Sequence, residues 1–446
     1  MQTIPHNTSA KKPEINIEAT AKGMTVNAGL VPVLRFMGAL SLDKMISDSV
    51  STPARAANAE YSFSDVVQMT VCGQIAGATA MEHVSKICSD EIISRCAGWE
   101  NVPHATSMGR IIKSVRERNI TELEALVPEL RDKVWKRMVR NGHTIACAMT
   151  DMIIDMDSTV QGVCGHQEGA QKGYNPHKKG QLAYHPLLAF CAETKEVLHS
   201  WYRCGSAYTS NGAVEFLKEL MDGLHKGVKY LLRADSGFFD GDLLDYLESI
   251  ESGYLIKVKL KGLDKLLAQQ NWVKSKQQPG WEETTFSYQC GKWTKARTFV
   301  AVRYQSGVTD DLYKTPIFEN FCYVTTEKKS PMETHRHYGK RATSETWIEE
   351  CKSQMGAGQI RTSEFLANSA LFQCGVLAYN ILKWMGLLTG TSVQSWEVKT
   401  IRLWLIRLAG KLVSSGRQLT LKIPCKFMYR EQWDAWEQMT RGLCFE

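Results

Sequence analysis

The chain has 446 residues, 43% apolar and 23% charged, which excludes a disordered or fibrous polypeptide and leaves room for several domains with their own cores. Lys and Arg number 54 against 47 Asp and Glu, a net charge of +7 that permits a polyanionic partner without demanding one. The 13 cysteines include no C-x-x-C pair, and their odd number excludes a complete disulfide framework, so reduced and mostly buried thiols such as Cys191, Cys322 and Cys374 are expected.

Residues 1–20 are polar, lack the apolar run of a secretory signal, and read as a disordered tail in a cytoplasmic protein. Residues 21–143 carry helical periodicity. Ser62 to Asp65 predicts a helix cap, Ser107 predicts another, and 121–139 reads as a longer amphipathic helix ending in Arg137 and Arg140. Basic helix edges suit a DNA-binding region, and they suit a packed bundle with a solvated face equally well.

The texture changes at residue 144. Strands are predicted over 144–157, 183–192 and 197–202, then a helix over 211–224, a strand over 228–235, a helix over 240–251 and a strand over 253–260. That β-β-β-α-β-α-β order is the order of an RNase H-like domain. The expected fold is therefore multidomain α/β, with 144–260 as the first part of an RNase H-like catalytic core. Residues 261–333 read as a β-rich insertion with strands over 281–289, 292–305 and 317–326. Residues 334–362 return to the core as one long acidic helix. The remainder, 363–446, reads as mostly helical and as a place for a dimer contact. Its most apolar stretch, 366–388, contains Asn368, Gln373, Asn380 and Lys383, which favours a buried helix over a membrane span.

Three carboxylates stand out. Asp157 ends the run Thr150 to Thr159, where strand periodicity puts Asp151, Asp155 and Asp157 on one face. Asp157 is preferred because it lies at the strand end, and Asp155 is the alternative. A solvated acidic edge is the plainer explanation. Asp235 ends an apolar strand before Ser236 and Gly237, the usual place for a ligand group in an α/β sheet and also an ordinary turn start. Glu345 sits in Tyr338-x-x-Arg341-x-x-x-Glu345, with Lys352 seven residues on, so one continuous helix would put all four side chains on one stripe. Arg341 suits bidentate phosphate contact and Lys352 adds a point charge, with Glu349 and Glu350 as supporting acids. Separated carboxylates that converge on a divalent metal point to phosphoryl transfer on nucleic acid. The loop from Lys172 to Gly180 offers Lys172, Tyr174, Lys178 and Lys179 for contacts to a DNA backbone, or makes a solvated hairpin tip.

With these residues in view, the chain resembles the DDE transposases of bacterial insertion sequences, in the cut-and-paste branch carrying Y-x2-R-x3-E-x6-K. The signature is complete at Tyr338, Arg341, Glu345 and Lys352. The Asp155 to Thr159 run, Lys172 to Pro176, Tyr184 to Leu188 and Arg233 to Phe238 resemble the family in the same order. The resemblance implies that Asp157, Asp235 and Glu345 are catalytic and hold two Mg²⁺ ions, with Mn²⁺ as a substitute. It implies nicking at terminal inverted repeats, a DNA hairpin, and joining of the 3′ ends to target DNA. Double-stranded DNA and a second copy of the chain in a synaptic homodimer are the implied partners, and no membrane is. A base flipped during hairpin formation needs a stacking surface, for which Trp272, Trp281, Trp293 and Trp347 are candidates against ordinary core packing. A catalytically silent DNA-binding regulator and a metal-dependent nuclease without strand transfer are the other two readings. No phosphate-cradling Gly loop or hydrolase elbow supports a small-molecule enzyme.

Overall fold

The computed structural model describes residues 15–53, 60–143, 151–173, 175, 178–208, 210–310, 313–416 and 418–445. Most of the predicted N-terminal tail, the first half of the predicted 144–157 strand, and Tyr174 lie outside these residues. Before the sheet come seven described helices between Leu30 and Arg140. Ser62 caps the Phe63–Ala76 helix through a reciprocal pair with Asp65, a box that satisfies two orphan donors at once. His104, rather than Ser107, caps the Ala105–Lys113 helix by accepting the Thr106 N–H.

Nine strands form one mixed sheet: β1 (Asp151–Ser158), β2 (Leu187–Cys191), β3 (Val197–Trp201), β4 (Lys229–Ala234), β5 (Gly253–Lys257), β6 (Val273–Lys274), β7 (Trp281–Tyr288), β8 (Arg297–Val308) and β9 (Pro316–Thr325). Their spatial order is β6-β7-β8-β9-β5-β4-β1-β2-β3. β4 runs parallel to both β1 and β5, whereas β2 is antiparallel to β1 and β3 to β2. The apolar runs that made these strands legible are buried: β2 is buried along its whole length, and Ile154, Met156, Leu232 and Ala234 are at 0% exposure. Buried on both faces, such strands belong at the centre of a sheet.

Strands β6 to β9 lie in the predicted insertion and extend the sheet outward from β5, Tyr323 pairing with Lys257. The structure departs from the sequence reading in three places. The predicted 183–192 strand is split at Pro186, and its first part, Leu182–Tyr184, joins a small separate sheet with Gln161–Gly162 and Gln171–Lys172. A proline lacks the N–H a ladder needs. The acidic helix is interrupted: Pro331–Gly339 ends, residues 340–341 turn, and Ala342–Glu349 resumes before a π turn at Glu350–Gln354. Finally, the C-terminal region is not all helix. Gly410–Ser415 and Gln418–Lys422 form a hairpin whose first strand pairs with Met24–Thr25.

The Phe365–Thr389 helix is long and apolar enough to cross a membrane by length and composition, but 89% of its most apolar window is buried within the fold. Its polar residues explain why it sits there. The Asn380 amide accepts the Val197 N–H and donates to the Val197 carbonyl, both at 2.8 Å, which closes part of the free edge of β3. Gln373 likewise accepts the Ser200 hydroxyl at 3.0 Å and donates to Glu124 at 2.9 Å.

Candidate active site

The parallel register of β1 and β4 sets the site. Asp155 lies opposite Arg233 and Met156 opposite Ala234, so the next residues, Asp157, still paired with Leu188 of β2, and Asp235, just past β4, come side by side at the carboxyl ends of the two strands. The two candidate aspartates have different partners. Asp155 is fully buried and takes two hydrogen bonds from the Arg233 guanidinium, at 2.8 and 2.7 Å. Both of its oxygens are thereby held by a neighbouring strand. Arg233 also donates to the His337 carbonyl at 2.9 Å, tying the sheet centre to the helix that carries Tyr338. Sequence reasoning passed over Arg233, although its place in the Arg-Ala-Asp run beside Asp155 was the available signal.

Asp157 is half-buried. One oxygen accepts the Ser158 N–H at 2.8 Å and the other meets the Arg341 guanidinium at 2.7 Å. Burial pushes its carboxyl up to about 6, with Arg341 opposing and the neighbouring Asp235 charge adding to the rise. Asp235 accepts the Gly237 N–H at 2.8 Å and caps the short Ser236–Phe238 turn, so the turn role expected of it is also real.

Tyr338 and Arg341 reach this strand end from the interrupted helix. Arg341 is buried at the turn, donates to the Met156 carbonyl at 3.4 Å as well as to Asp157, and its Nε has no hydrogen-bond partner among the described residues. Tyr338 packs its ring against Tyr323 of β9 at 4.7 Å. Burial pushes its phenol up to about 12; Arg341 opposes this, and Asp235 and Asp157 add to it. Lys352 comes from the π turn, with Nζ 3.4 Å from the Thr159 hydroxyl two residues past Asp157. Thr159 is a site neighbour that no spacing announced. Glu345 is exposed on the resumed helix. Among the described residues no three His, Cys, Asp or Glu side chains gather closely enough to hold a metal ion. The structure thus brings together Asp157, Asp235, Tyr338 and Arg341, with Lys352 at the neighbouring Thr159 and Glu345 exposed on the resumed helix.

The chain from β1 to β2 carries the small three-stranded sheet. Lys172 is exposed on it, and Lys178 and Lys179 are exposed beyond it, Lys178 N–H bonding the Asn175 side chain at 2.9 Å. The four tryptophans separate clearly. Trp347 is 6% exposed and packs on Phe190, so it belongs to the core. Trp272 is half-buried under the Arg303 guanidinium at 4.1 Å. Trp293 lies under Arg297 at 4.5 Å and against Phe239. Trp281 sits among Tyr304, Phe321 and His335.

The family model for the transposase DDE domain, group 1, matches residues 7–441. The chain belongs to this family. No curated protein matches it. Among solved structures, the DDE chain is similar to a piggyBac transposase synaptic complex with hairpin DNA at 14% identity, covering 84% of this chain and 80% of that one, with a TM-score of 0.44. It is also similar to a pre-cleavage Mos1 transpososome at 8% identity, covering 46% and 61% of the two chains, with a TM-score of 0.17. Overlaps this loose carry no argument, and the DDE assignment rests on the family match.

The donor chemistry fits a hard divalent cation in part. Asp157 and Asp235 are oxygen donors, and the Asp235 charge adds to the cost of ionising Asp157, which a cation between them would relieve. In the described structure the Arg341 guanidinium supplies the positive charge at Asp157.

Proposed function

We propose that this DDE-family chain is a DNA transposase built on an RNase H-like core, which cuts and joins DNA by metal-dependent phosphoryl transfer. The observation that carries the reading is the pairing of Asp157 and Asp235 on neighbouring strand ends, with Tyr338 and Arg341 delivered to them from a distant segment. The strand order β3-β2-β1-β4-β5, with β2 reversed, supports the RNase H-like core.

Asp157, Asp235 and Glu345 would hold two Mg²⁺ ions, or Mn²⁺ in their place, which supply Lewis acidity to the attacking and leaving oxygens. The chain's own residues do the rest. Arg341 and Lys352 grip phosphate oxygens beside the cleavage point. Tyr338, its phenol protonated at neutral pH, donates a hydrogen bond to a phosphate oxygen. Water first attacks the phosphodiester at the element's terminal inverted repeat, breaking one P–O bond and leaving a 3′-hydroxyl. That hydroxyl then attacks the opposite strand, forming a hairpin and releasing the flanking DNA. The hairpin is reopened and the 3′ ends are joined to target DNA. Two element ends held together require a homodimer, for which the C-terminal region is the proposed contact, and the protein acts in the bacterial cytoplasm.

A second reading, a silent DNA-binding regulator, draws on one observation: among the described residues no three carboxylate, His or Cys side chains gather as a metal site. Incubation with Mg²⁺ and a labelled duplex carrying the element end, beside Glu345→Gln, separates the two. Nicking and a hairpin band, both lost in the variant, support the transposase. Specific binding without cleavage by either protein supports the regulator, and cleavage without joining leaves a nuclease.

A further inference from the structure

The turn that carries Lys352 is anchored by a buried ion pair that the proposed chemistry does not use. Residues Glu350–Gln354 form a π turn, closed by the Met355 N–H on the Glu350 carbonyl at 2.9 Å. Such a turn adds one residue to a helix, re-aims everything after it, and persists only where its surroundings hold it. Glu350 is 3% exposed, and its carboxylate accepts the Lys383 ammonium at 2.8 Å and the Val398 N–H at 3.1 Å. Lys383, equally buried in the Phe365–Thr389 helix, also donates to the Trp396 carbonyl at 3.2 Å and lies 5.3 Å from the Tyr379 ring. At the other end of the turn, the Gln354 amide donates to Glu397 at 2.9 Å and accepts the Lys399 N–H at 3.0 Å.

Lys352 lies between these two anchors, with its ammonium at Thr159. A buried ion pair contributes little net stability relative to an apolar pair of the same size, because both charges lose their water. Stability is therefore a weak reason for placing two charges there, and geometry is a better one. We propose that Glu350 and Lys383 are positioning residues, which hold the π turn in the register that delivers Lys352 to the strand end beside Asp157. The inference rests on Lys352 being a phosphate ligand at the cleavage point.

The test is a mutant cycle on the full chain: Glu350→Met with Lys383→Met, Lys352→Ala, and all three together. Melting temperature, cleavage rate at saturating element-end DNA, and the salt dependence of binding are measured for each. The Met pair is expected to melt close to the parent, to cleave roughly tenfold slower, and to lose about one phosphate contact from the salt slope, as Lys352→Ala does. Adding Lys352→Ala to the Met pair is expected to change nothing further, whereas a merely structural role would give effects that multiply. Parent-like cleavage by the Met pair, or multiplying effects, overturns the proposal. If the Met pair does not fold, Glu350→Gln, which keeps an acceptor for Val398, is put through the same cycle with the same criteria. Unchanged cleavage and salt slope in Lys352→Ala alone would instead overturn the role of Lys352 on which the inference stands.

Discussion

Asp155 and Arg233 face each other across neighbouring parallel strands and join through two hydrogen bonds, with their side chains 0% and 2% exposed. This pair ties Asp155 into the sheet, whereas Asp157 sits at the strand end beside Asp235. Removing one partner strands a buried charge, so Asp155→Ala is expected to destabilise the fold by roughly 3–5 kcal/mol. Urea unfolding measures this. A loss under about 1 kcal/mol, within the range of an exposed pair, would mean that Arg233 has found water or another partner.

Asp157 predicts an acid limb in activity. Its carboxyl is pushed up to about 6, chiefly by burial. Cation binding requires the ionised form. Cleavage should therefore fall as pH drops through about 6, and more Mg²⁺ should move the midpoint lower. Arg341→Gln removes the cation that opposes the shift, and its midpoint is expected above the parent's. A pH–rate profile at two Mg²⁺ concentrations checks both. A midpoint insensitive to Mg²⁺ would assign the limb to another group.

Glu124 gives a stability prediction with no catalytic part. Burial, with the Glu219 charge adding and the Gln373 hydrogen bond opposing, pushes its carboxyl up to about 8. Between about pH 4.5 and 8 the folded protein holds a proton that the unfolded chain has released, so this group's contribution to stability falls as pH rises through that window. Glu124→Gln removes the penalty. It should be more stable than the parent at pH 8 by about 1–3 kcal/mol, with the gap closing below about pH 4.5. Equal pH dependence of melting in the two proteins would show that Glu124 ionises freely.

The tryptophans should divide by assay. Trp347→Ala opens a cavity against Phe190 and is expected to cost about 3–5 kcal/mol of stability. Base stacking by Trp272, Trp281 or Trp293 would show differently. The Ala variant of the stacking residue should still nick but accumulate the nicked strand without a hairpin, while its Phe variant recovers part of the hairpin yield. Gel analysis of the two steps separates them. Loss of nicking and hairpin together in all three variants would return these residues to packing alone.

Much of this protein was local and therefore legible. The apolar runs named β1, β2, β3, β4 and β5 in order, the Ser62 cap announced its helix, and Asp157 and Asp235 stood where their strands end. Polar residues within 366–388 marked a buried helix because each needed a partner, and each of Gln373, Asn380 and Lys383 has one. Only the tertiary structure decided what depends on non-local pairing. The register of β1 against β4 set Asp155 opposite Arg233 and Asp157 beside Asp235, and the antiparallel contact of β9 with β5 joined the predicted insertion to the same sheet. A spacing argument assumes a continuous helix. Here the chain turns at residues 340–341 and widens at Glu350, Tyr338 and Arg341 reach the strand ends, Lys352 reaches Thr159, and Glu345 is exposed. Period and composition encode which side chains want burial or charge. Where the partners come from is settled by packing between segments nearly two hundred residues apart, as Arg341 and Asp157 are.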